Sequence, residues 1–140
     1  MAKNSYQNKS EKSSLNRAFH FLSFRARSEK EMRGFLVKNK LEVEETITKL
    51  KELDFINDAK FAQEFVAARS HNKPKGKKAL MIELAQKGIK VEDLEVDEVE
   101  LAKKALERKS FKSREQMQRF LYSRGFSWET ILGIMSPHER

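Results

Sequence analysis

A shift of 85 residues lays "SEKEMRGFLVKNKLEVEETITKL" (28–50) on "SREQMQRFLYSRGFSWETILGIM" (113–135), and this internal repeat restricts the fold more than any other feature. Ser28 falls on Ser113, Met32 on Met117, Phe35-Leu36 on Phe120-Leu121, Leu41 on Phe126, Glu44 on Glu129 and Ile47 on Leu132. A shift of 37 brings "GKKALMIELAQKGI" (76–89) onto the same template, with Leu80 on Met117, Leu84 on Leu121 and Gly88-Ile89 on Gly125-Phe126. Identities are few, but the apolar register survives, as in a duplicated structural unit.

Within each repeat the apolar period is helical. Leu15, Ala18, Phe19, Leu22 and Ala26 make one stripe of an amphipathic helix. Ser28 with Glu31 forms a capping box and opens a helix that buries Met32, Phe35 and Leu36. A third helix carries Val43, Ile47, Leu50 and Leu53. In the last repeat Ser113 with Gln116 repeats the box, Gly125 supplies a positive-φ helix end, and Ser127 caps a helix with Ile131, Leu132 and Met135 that Pro137 ends. In "LDFINDAKFAQEFV" (53–66), Leu53 closes one helix, Phe55-Ile56 cross a gap, and Asp58 caps the next helix, with Phe61, Phe65 and Ala68 facing its core. "VEDLEVDEVE" (91–100) has weak apolar spacing, so a short helix or single turn at about 91–96 is expected, then a new helix from Asp97. Sustained period-2 runs and hairpin turns are absent.

The expectation is an all-α chain of tandem three-helix repeats, three units and about nine helices with the sixth short, elongated and curved. Boundaries fall at 1–14 (a polar tail), 15–56, 57–96 and 97–136. A repeat under fifty residues buries too little to stand alone, so neighbours share a core.

The charge is +8 overall and is strongly segregated. Residues 16–40 carry +5, 41–66 carry −4, 67–90 carry +6, 91–100 carry −6 and 101–124 carry +6. The basic side chains are Arg25, Arg27, Arg33, Lys38 and Lys40; then Lys73, Lys75, Lys77, Lys78 and Lys87; then Arg108, Lys109, Lys112, Arg114, Arg119 and Arg124. In each repeat they gather near the link between its first two helices, where stacking would align them into a discontinuous basic stripe. Such a stripe suits a polyanion or an acidic groove, since each neutralised phosphate releases counterions.

Catalysis finds no support. His20, His71 and His138 lack metal-ligand spacing, and "KPKGKK" lacks the spacing of a phosphate-cradling loop. The carboxylates of 92–100 fall on several faces, as a solvated charge run does. There is no Cys, no spanning apolar run and no signal-peptide core, so the expectation is a soluble cytoplasmic protein with no catalytic, metal or cofactor-binding residues, no cofactor and no membrane partner. A helix-turn-helix reading of 113–135 meets an apolar last helix with few base-reading side chains. Trp128 and Tyr122 could stack on bases, but both sit at helix ends, where aromatics commonly close a core; the core reading is adopted. The lack of a large apolar stripe predicts a monomer.

"RARSEKEMRGFLVKNKL", "LKELDFINDAKFAQEFVAAR", "KGKKALMIELAQKGI" and "SFKSREQMQRFLYSRGFSWETI" together resemble the RecX family of recombination regulators, over about residues 15–136. "LDFINDAKFAQEFV" is similar to the family's Leu-Gly-Tyr-Ile-Asp-Asp-x-x-Phe-Ala pattern, and "KGKKALMIELAQKGI" to its Lys-Gly-x-x-x-Ile-x-x-Glu-Leu-x-x-Lys-Gly-Ile. The resemblance implies arrays of three-helix units that bind the RecA filament on single-stranded DNA and restrain its ATPase, strand exchange and repressor cleavage. It also implies DNA binding, weakly for duplex, and no catalytic residues. Asn39-Lys40-Leu41 stands where the family has Lys-Gly-aromatic, which points to a different ending for that helix, and Asp54 replaces the Gly before the aromatic residue. The competing expectation is an autonomous basic DNA-binding module that ignores recombinase. Under the first reading, reversing Arg25, Arg27 and Arg33 to Glu weakens filament binding without unfolding the protein.

Overall fold

The computed structural model describes residues 13–136, which form eight helices and no strand. The tail up to residue 12, Pro137 and His138 lie outside the described residues. Helix α1 includes residues 13–22. It is followed by α2 (Glu29–Lys38), α3 (Glu44–Glu52), α4 (Asp58–His71), α5 (Lys77–Gln86), α6 (Glu98–Leu106), α7 (Arg114–Ser123) and α8 (Trp128–Met135). None of them is long and apolar enough to cross a membrane.

The chain divides into two compact units. The first runs to Ala62 and includes Lys87–Ile89; the second holds Gln63–Gln86 and the chain from Lys90 onward. In the first, Ala18, Met32, Leu36, Ile47, Leu50 and Ile56 form the core, with Leu15, Phe19, Phe21, Leu22, Phe35, Leu41 and Val43 packed against it. This is the apolar stripe of each helix turned inward, as its period dictates. In the second, Leu80, Leu84, Leu94, Leu101, Ala102, Leu121, Phe126, Ile131 and Met135 are buried, and α8 packs on α6 and α7.

The expected short sixth helix does not form. Residues 91–97 are irregular, with the Val96 amide donating to the Leu94 carbonyl at 3.1 Å. Val91, Leu94 and Val96 offer no i, i+4 apolar pair, Val91 and Val96 are stiff at χ1, and the intervening carboxylates repel one another in a helix. Leu94 alone is buried from this segment, so one anchor replaces a helix.

The caps follow sequence closely. Ser28 Oγ accepts from the Glu31 amide while Glu31 accepts from the Ser28 amide. Ser113 and Ser127 accept from the amides of Gln116 and Thr130. Gln116 reaches one residue further back than a capping box requires, to the Lys112 amide. The cap of α4 is Asn57 rather than Asp58: Asn57 Oδ1 accepts from the Lys60 amide at 3.1 Å. Asp58 instead accepts from the Glu29 amide at 2.9 Å, supplying an acceptor and a negative charge to the first turn of α2. Leu53, expected to close the third helix on its apolar stripe, and Phe55, expected to cross the gap with Ile56, are half exposed, and from that stretch Ile56 and Phe61 are buried. Ala68 is exposed rather than core-facing.

Helices α2 and α3 end as a glycine-terminated helix would. Lys40 (φ 58°) and Asp54 (φ 64°) take the left-handed conformation, as do Gly88 (φ 82°) and Gly125 (φ 86°). The Leu41 amide donates back to the Leu36 carbonyl and the Phe55 amide to that of Leu50, so the end geometry is kept without the glycine. A Cβ in this region costs about 1–2 kcal/mol. Lys40→Gly is therefore expected to raise the stability of the first unit by about 1 kcal/mol, read as a higher midpoint in urea. An unchanged or lower midpoint would count against the strain.

Candidate nucleic-acid interface

The sixteen basic residues of the expected stripe divide by whether a carboxylate already holds them. In the first unit most are held. Arg25 pairs with Glu31 at 2.7 Å, and Lys87 reaches the same carboxylate at 2.9 Å. Arg33 bridges Glu29 (2.8 Å) and Glu44 (2.6 Å), and Lys51 meets Glu29 from the other side at 2.8 Å. Arg27 lies over the Phe21 ring at 3.7 Å and donates to the Phe21 carbonyl; partial burial, then the neighbouring Arg25, lower its pKa. Like Arg27, Lys38, in the last turn of α2, and Lys40, just past it, stand without a carboxylate partner among the described residues. Part of the alternation of charge along the sequence is thus internal neutralisation between a basic block and its acidic neighbour. Reversing Arg33 would set a third carboxylate beside Glu29 and Glu44, so reversals here disturb stability as well as binding, contrary to the sequence-based expectation.

The Glu31 carboxyl shows how firmly this unit holds its cations. Burial alone would raise its pKa, but hydrogen bonds from Arg25, Lys87 and the Ser28 amide outweigh burial and bring it to about 2. The folded value lies below the ordinary one, so the stabilisation is present above about pH 4.5 and is lost as pH falls toward 2. Glu31→Gln is expected to cost about 1–2 kcal/mol at pH 7, after allowance for the exposed Arg25, and almost nothing near pH 2. Thermal unfolding of both proteins across that range checks it; a difference constant with pH would contradict the assignment.

The second unit differs. Lys75 joins Arg69 on Glu83, Lys77 lies 3.5 Å from Asp93, and Arg114 donates to the Met135 carbonyl at 2.7 Å. Lys112 and Arg119 are exposed on and before α7, and Lys78 is exposed on α5. The remaining four converge. Lys73, Arg108, Lys109 and Arg124 line one cleft of about 480 Å³ together with Lys104, His71, Asn72 and Phe120. Its walls are the loop after α4, the last turn of α6 with its extension, and the end of α7. Arg124 lies 4.8 Å and Lys109 5.4 Å from the centre of the Phe120 ring, which brings two cations to one aromatic ring. Glu107 is the one acid in the lining, and none of the five cations has a carboxylate partner among the described residues.

Several sequence features build this cleft. Three helices end here, and the negative ends of their dipoles favour cations. Gly76 carries the loop against α7: its amide donates to the Arg124 carbonyl at 2.8 Å, and a Cβ there would collide with the Gly125 carbonyl. Lys73 is held at φ 49°, a strained conformation for a side chain of its size. Lys104 is absent from the sequence-derived stripe, although it precedes Arg108 by one helical turn and so shares its face. Phe120, which repeat register places with the apolar core positions, is half-buried and floors the cations.

Such a cleft can hold a multiply charged anion by charge and by forked guanidinium bonds, without base-edge recognition. No group of three or more His, Cys, Asp or Glu among the described residues could hold a metal ion.

Comparison with known proteins fits this architecture. The family model described as RecX, second three-helix domain, matches residues 57–95. The regulatory protein RecX of Bacillus velezensis is 30% identical over 149 residues, covering 91% of this chain and 56% of the relative. That of Listeria innocua is 41% identical over 78 residues, 54% of this chain and 29% of the relative. The chain therefore spans about half the length, or less, of these relatives. The crystal structure of RecX from Lactobacillus salivarius superposes with a TM-score of 0.71 at 25% identity, covering 91% of this chain and 96% of that one. A second crystal structure of regulatory protein RecX shares the fold, with a TM-score of 0.72 at 23% identity over 92% of this chain and 74% of that one. Residues 57–95 thus match the second three-helix domain of RecX, and the all-helical chain is similar to RecX regulatory proteins in sequence and fold over nine-tenths of its length.

Proposed function

We propose that this protein is a non-enzymatic regulator that binds the RecA–single-stranded DNA filament and restrains recombinase ATPase, strand exchange and repressor cleavage. The observation that carries this beyond similarity to RecX is the cleft of the second unit. Five cations stand there without carboxylate partners among the described residues, beside an aromatic face, whereas Arg25 and Arg33 of the first unit are already paired. A phosphate entering the cleft meets free charge; one approaching Arg25 or Arg33 must first displace a carboxylate. Binding alone regulates nothing, because a ligand shifts a filament between states only by its difference in affinity for them. Contact with recombinase as well as DNA supplies such a difference.

The cleft also favours a second reading, an autonomous DNA-binding module indifferent to recombinase. The two separate on one comparison at physiological salt: affinity for an oligo-dT strand bare and coated with recombinase. Tighter binding to the coated strand, with slowed ATP hydrolysis, is expected. Equal or tighter binding to bare DNA with a steep salt slope would favour the module.

A further inference from the structure

The second unit carries another concavity of different chemistry. A groove of about 1000 Å³ opens between α5, the irregular segment before α6, and the start of α8. Its lining includes the aliphatic side chains of Ile82, Val91, Val96 and Val99 and the rings of Tyr122 and Trp128. Ile82 is 52% exposed, Tyr122 56% and Trp128 52%, so the core role expected for the two aromatics is not the one they take. They stack on each other, centres 5.6 Å apart, and both stay half exposed. Large side chains exposed together in a concave surface mark a contact site more often than isolated ones do, and Trp and Tyr are its commonest anchors.

The groove is distinct from the cleft. Their linings share no residue. On α7, Phe120 serves the cleft and Tyr122 the groove, and two residues along a helix are about 200° apart, which turns them to opposite faces.

Its charges point to one kind of occupant. Of the three carboxylates in the lining, Asp97 caps α6, Glu98 is occupied by the Lys77 amide, Ser127 and Thr130, and Glu129 sits in the first turn of α8, where the helix dipole favours it. Lys78 and Lys90, both exposed on the rim, have no carboxylate partner among the described residues. Beyond the single Tyr122–Trp128 stack the lining named above is aliphatic, which suits the side chains of a peptide segment better than a run of stacked bases. We infer that this groove docks a protein segment that presents apolar side chains beside a carboxylate, while the basic cleft takes nucleic-acid phosphate. The inference rests on the functional reading above and divides its two ligands between two surfaces of one compact unit.

Two variants test it. Tyr122→Ala with Trp128→Ala removes the anchors, and Ile82→Glu sets a carboxylate where the segment's own would lie; all three positions are exposed, and circular dichroism checks that each variant folds. The probes are oligo-dT bare and coated with recombinase. Each variant is expected to lose about tenfold or more in affinity for coated DNA while bare DNA is bound within about twofold of wild type. A matching loss on bare DNA would overturn the proposal by showing that the rings stack on bases. Unchanged affinity for both probes would overturn it too, as would sedimentation showing that the groove joins two copies of the chain. A wild-type chain with no preference for coated DNA overturns the functional reading itself, and that failure shows before any variant is made.

Discussion

Replacing Gly76 by Ala is expected to lower the stability of the second unit by about 3 kcal/mol, near the upper end of the usual cost of overpacking. The added methyl would run into the carbonyl of Gly125 and the Cα of Phe126, and backbone has no rotamer with which to yield. Either the loop withdraws and the bond from the Gly76 amide to the Arg124 carbonyl is lost, or α7 shifts on its core. A loss of this size corresponds to a fall in Tm on the order of 10 °C for a unit of this length. Trp128, the chain's single tryptophan, lies in this unit and reports its unfolding by fluorescence. Gly34 and Gly133 serve as controls: a Cβ at either meets nothing within 4 Å, so Ala there should be neutral or stabilising. A Gly76→Ala protein as stable as wild type would show that the loop does not cross α7 as closely as described.

Charge reversal in the cleft should act on binding and leave the fold standing. Arg108→Glu with Lys109→Glu is expected to reduce affinity for single-stranded DNA by about tenfold or more at about 0.1 M salt. It should also flatten the salt dependence by about 0.7 for each phosphate no longer neutralised. Neither side chain has a carboxylate partner among the described residues, and the approach of Lys109 to Phe120 is the one specific interaction removed, so stability should change by no more than about 1 kcal/mol. Arg25→Gln with Arg33→Gln removes positive charge from the first unit, but from side chains already paired with Glu31, Glu29 and Glu44. That pair is expected to weaken DNA binding by less than about threefold. The reverse ranking would return the binding surface to the first unit.

The parts of the fold that were legible in the sequence are those set by local rules. Serine caps at Ser28, Ser113 and Ser127 and the left-handed glycine at Gly125 depend on a few neighbouring residues and formed as expected, and Gly88, which repeat register lays on Gly125, takes the same conformation. Lys40 and Asp54 take the same left-handed turn without announcing it, because the bonds back to Leu36 and Leu50 and the packing of Leu41 and Ile56 against the core outweigh the strain. Asp58 read as a local cap because it opens a helix, yet its carboxylate reaches α2, a partner 29 residues away that no spacing rule supplies. The helix expected at 91–96 failed because acids and β-branched residues disfavour it and one buried leucine suffices as an anchor.

The candidate site was half legible for a related reason. Composition and repeat register identified the basic side chains, but not which of them meet a carboxylate. Whether Arg33 is free depends on Glu44 at the start of the next helix, and whether Lys73 meets Arg124 depends on the glycine crossing at Gly76. Tyr122 and Trp128 looked like core residues because aromatics at helix ends usually are; here each finds the other in place of a core.

The most direct test of the cleft's role is a photocrosslink. A benzophenone side chain placed at Glu107, in the cleft lining, removes no cation; one at Ala26, between Arg25 and Arg27, samples the first unit. Irradiated with oligo-dT, bare or coated with recombinase, the Glu107 variant should yield a protein–DNA adduct in both cases and the Ala26 variant little above background. Adducts that form mainly from Ala26 would contradict the assignment of phosphate binding to the second unit.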